Sequence, residues 1–386
     1  MSISEMQKMI NGHARIAEEL EICRKYGIDY YSQRGKWTRA VEKYHPRRLE
    51  LRVSEKFAEN ADTTTLRLVS TNGYLPPFRA GQYINLFVEI EGICTSRPYS
   101  ISSSPTQTAY YDLTVRRIPD GFVSDYLLDK VNAGDVLTST GPAGHFYYSS
   151  IYQGNELVFL AGGSGITPLM SMIREVTDRN LDRNIHLIYG VRKPQEAIFH
   201  EELLKRSQRH SNFIYDLAVS EPEAGYEGIT GYIGADLIKQ QMGDVTGKTF
   251  FICGPREMYS FCIPELEKMG VPGRRIRREL FGTPTEVTKE PAWPQEVKAD
   301  AEFTVKLARG QVIKARASEP LLIALERTGI VVENCCRSGE CSLCRVKLQS
   351  GKVFQPSGAL VRKSDQESGY VHSCVAYPLT DLEILL

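Results

Sequence analysis

Cys336-Arg337-Ser338-Gly339-Glu340-Cys341-Ser342-Leu343-Cys344 has the spacing C-x4-C-x2-C, and 29 residues separate Cys344 from Cys374. This is the plant-type ligand spacing of a [2Fe–2S] cluster. Such a cluster needs four thiolates converging on two bridged irons. A tight loop, with Gly339 letting the backbone come close, can supply three of them, and a distant strand end the fourth. A zinc site usually shows two C-x2-C knuckles, and this chain has one. Two neighbouring side chains rarely both point into one cluster, so the spacing selects Cys336 and leaves Cys335 aside. The expected metal ligands are Cys336, Cys341, Cys344 and Cys374, carried by a compact unit over residues 300–386.

The remainder of the chain is too long to be one further domain. Its 386 residues predict two or three cores in all. Hydrophobic residues at 42% and charged residues at 24% are ordinary for a globular chain and exclude a mostly disordered one. Lys plus Arg (47) cancels Asp plus Glu (47), which argues against nucleic acid or an anionic membrane as partner. No stretch approaches the ~18 consecutive apolar residues of a membrane span. The first 25 residues mix Glu, Lys and Arg with no apolar h-region, so no secretory signal is expected. Nine cysteines, five of them in the last 52 residues, suit a reducing compartment and a metal site better than a disulfide scaffold. A cytoplasmic protein is expected.

Upstream of the cysteine unit, residues 283–299 hold Pro284, Pro291 and Pro294 among charges, without hydrophobic period, and read as a linker. In residues 151–282 strands alternate with helices: Glu156–Leu160, Ile185–Tyr189, Phe213–Leu217 and Thr249–Cys253. That predicts a doubly wound parallel sheet. Residues 47–150 change to short alternating runs at Thr65–Val69, Tyr83–Val88, Tyr111–Val115 and Asp135–Thr138, the pattern of an antiparallel barrel or sandwich. Residues 1–46 form a helical extension. A possible capping box at Ser2 and Glu5 precedes a stripe of Met6, Ile10, Ala14, Ala17 and Leu20 that stops at Gly27, expected to dock on the protein's own body. A second short piece runs from Lys36 to Tyr44.

Two further motifs bear on chemistry. Leu160-Ala161-Gly162-Gly163-Ser164-Gly165-Ile166-Thr167-Pro168 is a glycine turn between a buried strand and a helix, where backbone N–H groups can approach a phosphate. Cys253-Gly254-Pro255 ends another strand of that sheet, and ligands of open α/β sheets bind at such carboxyl ends. In the β domain, Arg97-Pro98-Tyr99-Ser100 offers a forked donor, an aromatic face and a small hydroxyl. Arg116 follows, and then Gly121-Phe122-Val123-Ser124, with Gly121 and Ser124 suited to a loop and a helix cap.

Together these residues resemble the ferredoxin–NADP reductase superfamily with a plant-type ferredoxin domain at the C-terminus, in the domain order of phthalate dioxygenase reductase. The resemblance spans about residues 48–386 and implies a six-stranded antiparallel flavin barrel, a nucleotide domain and a β-grasp iron–sulfur domain. It implies that Arg97 binds flavin phosphate, Tyr99 lies against the isoalloxazine beside Pro98, and Ser100 hydrogen-bonds near N5. Arg116 and the loop Gly121, Phe122, Val123 and Ser124 make further flavin contacts. Gly162, Gly163, Gly165 and Thr167 form the nicotinamide-cofactor loop. Cys253 and Gly254 lie beside the hydride path, and Glu279-Leu280-Phe281 brings an aromatic ring over the flavin. FAD is expected rather than FMN. Arg192 and Lys193 follow the second strand of the nucleotide domain and could pair with a 2′-phosphate, yet NADH is favoured weakly over NADPH.

A nicotinamide gives two electrons as hydride and a [2Fe–2S] cluster takes one, so a flavin between them is required. The expected acceptor is a separate redox protein such as an oxygenase or demethylase component. From Glu296 onward, Lys plus Arg (12) nearly balances Asp plus Glu (11), which predicts docking with little long-range steering. A self-contained reductase of small acceptors and an input subunit clamped by the N-terminal helix are the alternatives.

Overall fold

The computed structural model describes residues 8, 9, 12–27, 35, 36, 38–42 and 46–386, apart from 285, 309 and 358. Two compact units divide it, Met1–Arg48 and Leu49–Leu386. The first contains the helix His13–Lys25, opened by Gly12 in the left-handed region (φ 88°). None of its residues is buried. The capping box, Met6, Ile10 and Tyr44 lie outside the described residues.

The second unit holds three sheets. In the first, the strands are β1 (Leu49–Asn60), β2 (Thr63–Ser70), β3 (Tyr83–Ile90), β4 (Ile93–Ser100), β5 (Tyr111–Arg116) and β6 (Val136–Ser139), in the order β4-β3-β6-β1-β2-β5. All pairings are antiparallel. Leu49, Leu51 and Val53 are buried while Glu50 and Arg52 face out, the period-2 alternation of a sheet with one covered face. The bridge Ile101–Leu113 joins the end of β4 to β5 and closes the barrel around Leu66, Leu68, Ile84 and Leu86.

The second sheet contains β7 (Glu156–Gly162), β8 (Asn184–Val191), β9 (Phe213–Val219), β10 (Ile229–Thr230), β11 (Thr249–Cys253) and β12 (Ile276–Arg278). Its order is β10-β9-β8-β7-β11-β12 and its pairs are parallel. The chain leaves β7 toward β8 on one side and later places β11 on the other, so the switch point lies where Gly162 and Cys253 end their strands. The helix Ile166–Asp178 is buried along most of its length. It faces the barrel as well as its own sheet: the Ser171 hydroxyl donates to Ser103 O at 2.7 Å and Arg174 to Ser102 O at 2.8 Å. Those bonds hold the glycine turn against the barrel.

The third sheet is mixed. It consists of β13 (Glu302–Leu307), β14 (Val312–Arg316), β15 (Arg345–Ser350), β17 (Tyr370–His372) and β19 (Leu382–Leu385), ordered β14-β13-β19-β15-β17. The central β13–β19 pair is parallel and the others antiparallel, a β-grasp arrangement packed on the helix Leu321–Arg327. A small ribbon pairs β16 (Val353–Phe354) with β18 (Tyr377–Pro378). The segment 283–299 does more than connect. Val287 and Trp293 are buried with Ala317, Phe354 and Tyr377, and the Trp293 indole donates to Val297 O at 3.0 Å. Two isolated hydrophobes carry this packing, which is why no period announced it.

Candidate functional site

One cavity of about 1090 Å³ runs along the seam of the three sheets. Arg97, Pro98, Tyr99 and Ser100 reach it from the end of β4, and Arg116 from the end of β5. Gly121 to Ser124 reach it from the start of the helix Phe122–Asp129. Gly162, Gly163, Gly165 and Thr167 follow β7, Arg192 follows β8, and Cys253 and Gly254 close β11. Phe281 lines it too, edge-on to Tyr83 at 6.0 Å between ring centroids. Glu279 does not; it is buried behind the wall.

The two nucleotide-domain turns are back to back because Gly165 has no side chain. A Cβ there would stand 2.1 Å from the carbonyl oxygen of Cys253. Gly163 has φ +52°, in the left-handed region, and faces the Arg116 guanidinium. The helix Ile166–Asp178 begins immediately, so the positive end of its dipole meets the cavity wall, a favourable seat for phosphate. Thr167 instead donates its hydroxyl to Ser164 O at 2.7 Å and tightens the turn. Ser124 differs from the expectation. The helix Phe122–Asp129 is opened by Gly121 with no side-chain cap, and the Ser124 hydroxyl turns back to Gly121 O and Ile118 N–H.

The charged groups sort into paired and unpaired. Arg116 binds Asp62 at 3.0 Å and Glu196 at 3.3 Å, and Arg192 binds Glu196 at 3.0 Å. Among the described residues Arg97 donates to the Thr95 hydroxyl and Ser96 O alone. Burial and the nearby Arg337 charge lower its pKa to about 10. Burial raises Tyr99 to about 12, against the opposing pull of Arg97. Burial, then the Glu279 charge, raises the Cys253 thiol well above its ordinary range. It is therefore a neutral thiol at the strand end. Glu279 is likewise driven well above the carboxylate range, by burial first and then by Glu340 and Cys336. Its Oε2 has no hydrogen-bond partner.

The cysteine loop brings its sulfurs together two by two. Cys336 shares a hydrogen bond with Cys341, and Cys344 with Cys374. Pairs of thiols suit the two irons of a [2Fe–2S] cluster. Among the described residues no three His, Cys, Asp or Glu side chains form a single-ion site. Backbone N–H groups of Ser338, Glu340 and Cys341 point at Cys336 Sγ at 3.3–3.5 Å, which favours the thiolate that a metal ligand must be. His372 Nδ1 and Gly339 O lie 2.8 Å apart and tie the loop to β17. Cys335 packs with Tyr83 of the barrel, in the same buried cluster as Cys336.

Three features escaped the sequence. Glu196 is the acidic residue beside Arg192, and its only signal was an i,i+4 spacing. Tyr232 and Phe261 line the nucleotide end of the cavity without any motif. Leu322, Ile323, Arg337 and Cys374 of the C-terminal unit also line it. The glycine turn, the helix N-terminus and the unpaired guanidinium thus fit phosphate-bearing cofactors, and the paired thiols fit a two-iron cluster.

Among the described residues no helix is long and apolar enough to cross a membrane. Residues 48–148 match the family model of the oxidoreductase FAD-binding domain, residues 159–263 that of the oxidoreductase NAD-binding domain, and residues 305–379 that of the 2Fe-2S iron-sulfur cluster binding domain. NADH oxidoreductase HCR of Escherichia coli (strain K12) is 32% identical over 324 residues, 84% of this chain and 93% of that protein. The glycine betaine monooxygenase reductase subunit of Chromohalobacter salexigens is 29% identical over 350 residues, 87% and 95% of the two chains. The solved structure of phthalate dioxygenase reductase superposes with TM-score 0.67 at 23% identity, covering 88% of this chain and 97% of that one.

Proposed function

The chain belongs to the ferredoxin–NADP reductase superfamily, in the group that joins FAD-binding, NAD-binding and [2Fe–2S] domains in that order, and from this premise we propose that it is the reductase component of a multicomponent redox system, passing electrons from NADH to a separate metalloprotein. It is an NAD(P)H-dependent flavoprotein oxidoreductase. The observation that carries the proposal is that one cavity is lined from all three sheets, with the expected cluster ligand Cys374 in its wall. A bound flavin accepts an electron pair from a nicotinamide and gives electrons singly to a [2Fe–2S] cluster, the conversion such a cavity serves.

The residues divide the work by position. Arg97 would hold the flavin phosphate, Tyr99 and Pro98 would flank the ring system, and Ser100 would offer its hydroxyl to the flavin. Arg116 and the backbone from Gly121 to Ser124 form the far wall. Gly162, Gly163, Gly165 and Thr167 seat the nicotinamide cofactor's phosphates, with Cys253 and Gly254 opposite. Phe281, lining the cavity edge-on to Tyr83, would cover the flavin until nicotinamide displaces it. Glu279, buried and neutral behind that face, positions the Cys253 turn and excludes water. Hydride transfer needs no general acid or base, and none is assigned. Glu196, by neutralising Arg192 and presenting a carboxylate to the cavity, favours NADH over NADPH. The protein works in the cytoplasm.

The test is modular. Cys344→Ser removes the visible [2Fe–2S] bands and stops reduction of one-electron protein acceptors, while NADH still bleaches the flavin band. Loss of flavin chemistry in that variant would contradict the proposal. Full turnover of wild type with a ferric chelate and no protein acceptor would favour a self-contained reductase instead.

A further inference from the structure

Around Thr95 the barrel and the cluster loop share a buried polar network. The Thr95 hydroxyl donates to Glu326 Oε2 at 3.0 Å and accepts from Arg97 Nη1 at 2.9 Å and from Arg337 Nη2 at 3.1 Å. One hydroxyl has one proton to give and two lone pairs, so Thr95 is fully used. Arg337 also ion-pairs with Glu326 Oε1, which uses the second carboxylate oxygen. Beside it, Asn334 locks the loop to the barrel through Ser96 at 2.8 Å and Asn85 at 3.0 Å.

The charges do not cancel. Two guanidinium groups meet here and one carboxylate answers them, since among the described residues Arg97 has no acidic partner. Arg337 is only 7% exposed, and among the described residues its buried Nε has no hydrogen-bond partner. Both arginines line the cofactor cavity. Arg337 also sits at φ 52°, a left-handed backbone that a non-glycine side chain tolerates only where its surroundings hold it. Within this network two planar forks meet one carboxylate and open into a cavity, a pairing that suits an anion with several oxygens.

We propose that Arg337, carried by the [2Fe–2S] loop, is a second guanidinium for the flavin phosphate alongside Arg97, so that the iron–sulfur domain is part of the flavin site. This rests on the functional reading above and extends it: flavin retention depends on a residue about 240 positions away from the barrel's own phosphate arginine. Thr95 sets the spacing between the two forks, and Glu326 holds Arg337 in place at the cavity wall.

The experiment uses the full-length chain, with iron content checked in each preparation, stripped of flavin and titrated with FMN, FAD and riboflavin by flavin fluorescence quenching. Arg337→Gln should weaken FMN and FAD about 10-fold or more and riboflavin, which lacks phosphate, less than about 2-fold. Arg337→Lys should fall between. Glu326→Gln, which keeps hydrogen-bonding oxygen for Arg337 and Thr95 but removes the negative charge, should bind FMN at least as tightly as wild type. If R337Q loses its iron, R337K and E326Q carry the test. The proposal is overturned if R337Q binds FMN and FAD like wild type, if it loses riboflavin equally, or if E326Q weakens FMN as much as R337Q does. Wild-type protein that binds none of the three flavins would instead overturn the functional reading.

Discussion

Gly165→Ala adds one methyl group where the two nucleotide-domain turns touch. The new Cβ would stand 2.1 Å from the oxygen and 2.4 Å from the carbon of the Cys253 carbonyl. Ordinary carbon contacts begin near ~3.5 Å, so more than an ångström has to be made up. Neither side yields easily, because both are backbone: Cys253 ends β11 and Ile166 opens a helix, and both are buried. The φ of Gly165 is −63°, so the cost is steric and not conformational. Overpacking of this kind costs about 1–3 kcal/mol, and rigid backbone on both sides puts it near 3. At roughly 2–4 °C per kcal/mol, Tm should fall by about 6–12 °C. Because the turns must separate, NADH binding should also weaken, while flavin content holds. Gly163→Ala is the control. Its Cβ meets the movable end of Arg116 at 2.8 Å, and its left-handed φ of +52° costs only about 1–2 kcal/mol. Thermal unfolding by circular dichroism and NADH titration check both variants. A G165A protein melting within about 2 °C of wild type, with unchanged NADH affinity, would refute the reasoning.

Other expectations follow from the same geometry. Glu196→Gln should free Arg192 for a 2′-phosphate and raise kcat/KM for NADPH by up to about 10-fold, with NADH little changed; steady-state kinetics with each cofactor decides. Glu202 is pushed up by burial, but its bonds to Arg174 and Arg206 win and its pKa lies below the ordinary 4.5. Its stabilising effect is therefore complete above pH 4.5 and lost as pH falls through the lower folded value. The stability gap between wild type and Glu202→Gln, measured by urea unfolding, should narrow below that pH, and a constant gap from neutral to pH 3.5 would count against it. Cys335→Ser should keep the cluster's iron, whereas Cys374→Ser should lose it; iron analysis with visible spectra distinguishes the two.

What the sequence made legible was whatever one segment specifies by itself. The cysteine spacing, the glycine turn after Leu160 and the run from Arg97 to Ser100 each carry their chemistry in a few adjacent residues, and all reach the seam. The strands β7, β8, β9 and β11 were readable as apolar runs because a parallel sheet buries both faces. The strand β1 was harder to see. Only Leu49, Leu51 and Val53 of its twelve residues alternate cleanly before charge takes over. Other features depended on packing between distant segments. Trp293 buries itself from a proline-rich stretch that looks like solvent-exposed linker, and Arg337 meets Thr95 only because the β-grasp unit sits on the barrel. Ser124 had the right residue type for a helix cap one turn too late, so its hydroxyl points backward.

The relay runs from a two-electron donor, through a flavin, to a cluster that takes electrons singly. Anaerobic titration of the intact protein with NADH, following flavin and iron–sulfur absorption together, tests it most directly. One flavin and one cluster take three electrons between them, so complete bleaching of both bands should require about 1.5 equivalents of NADH per chain, with two irons per flavin. Bleaching of the flavin alone, or zinc where the two irons are expected, would contradict it.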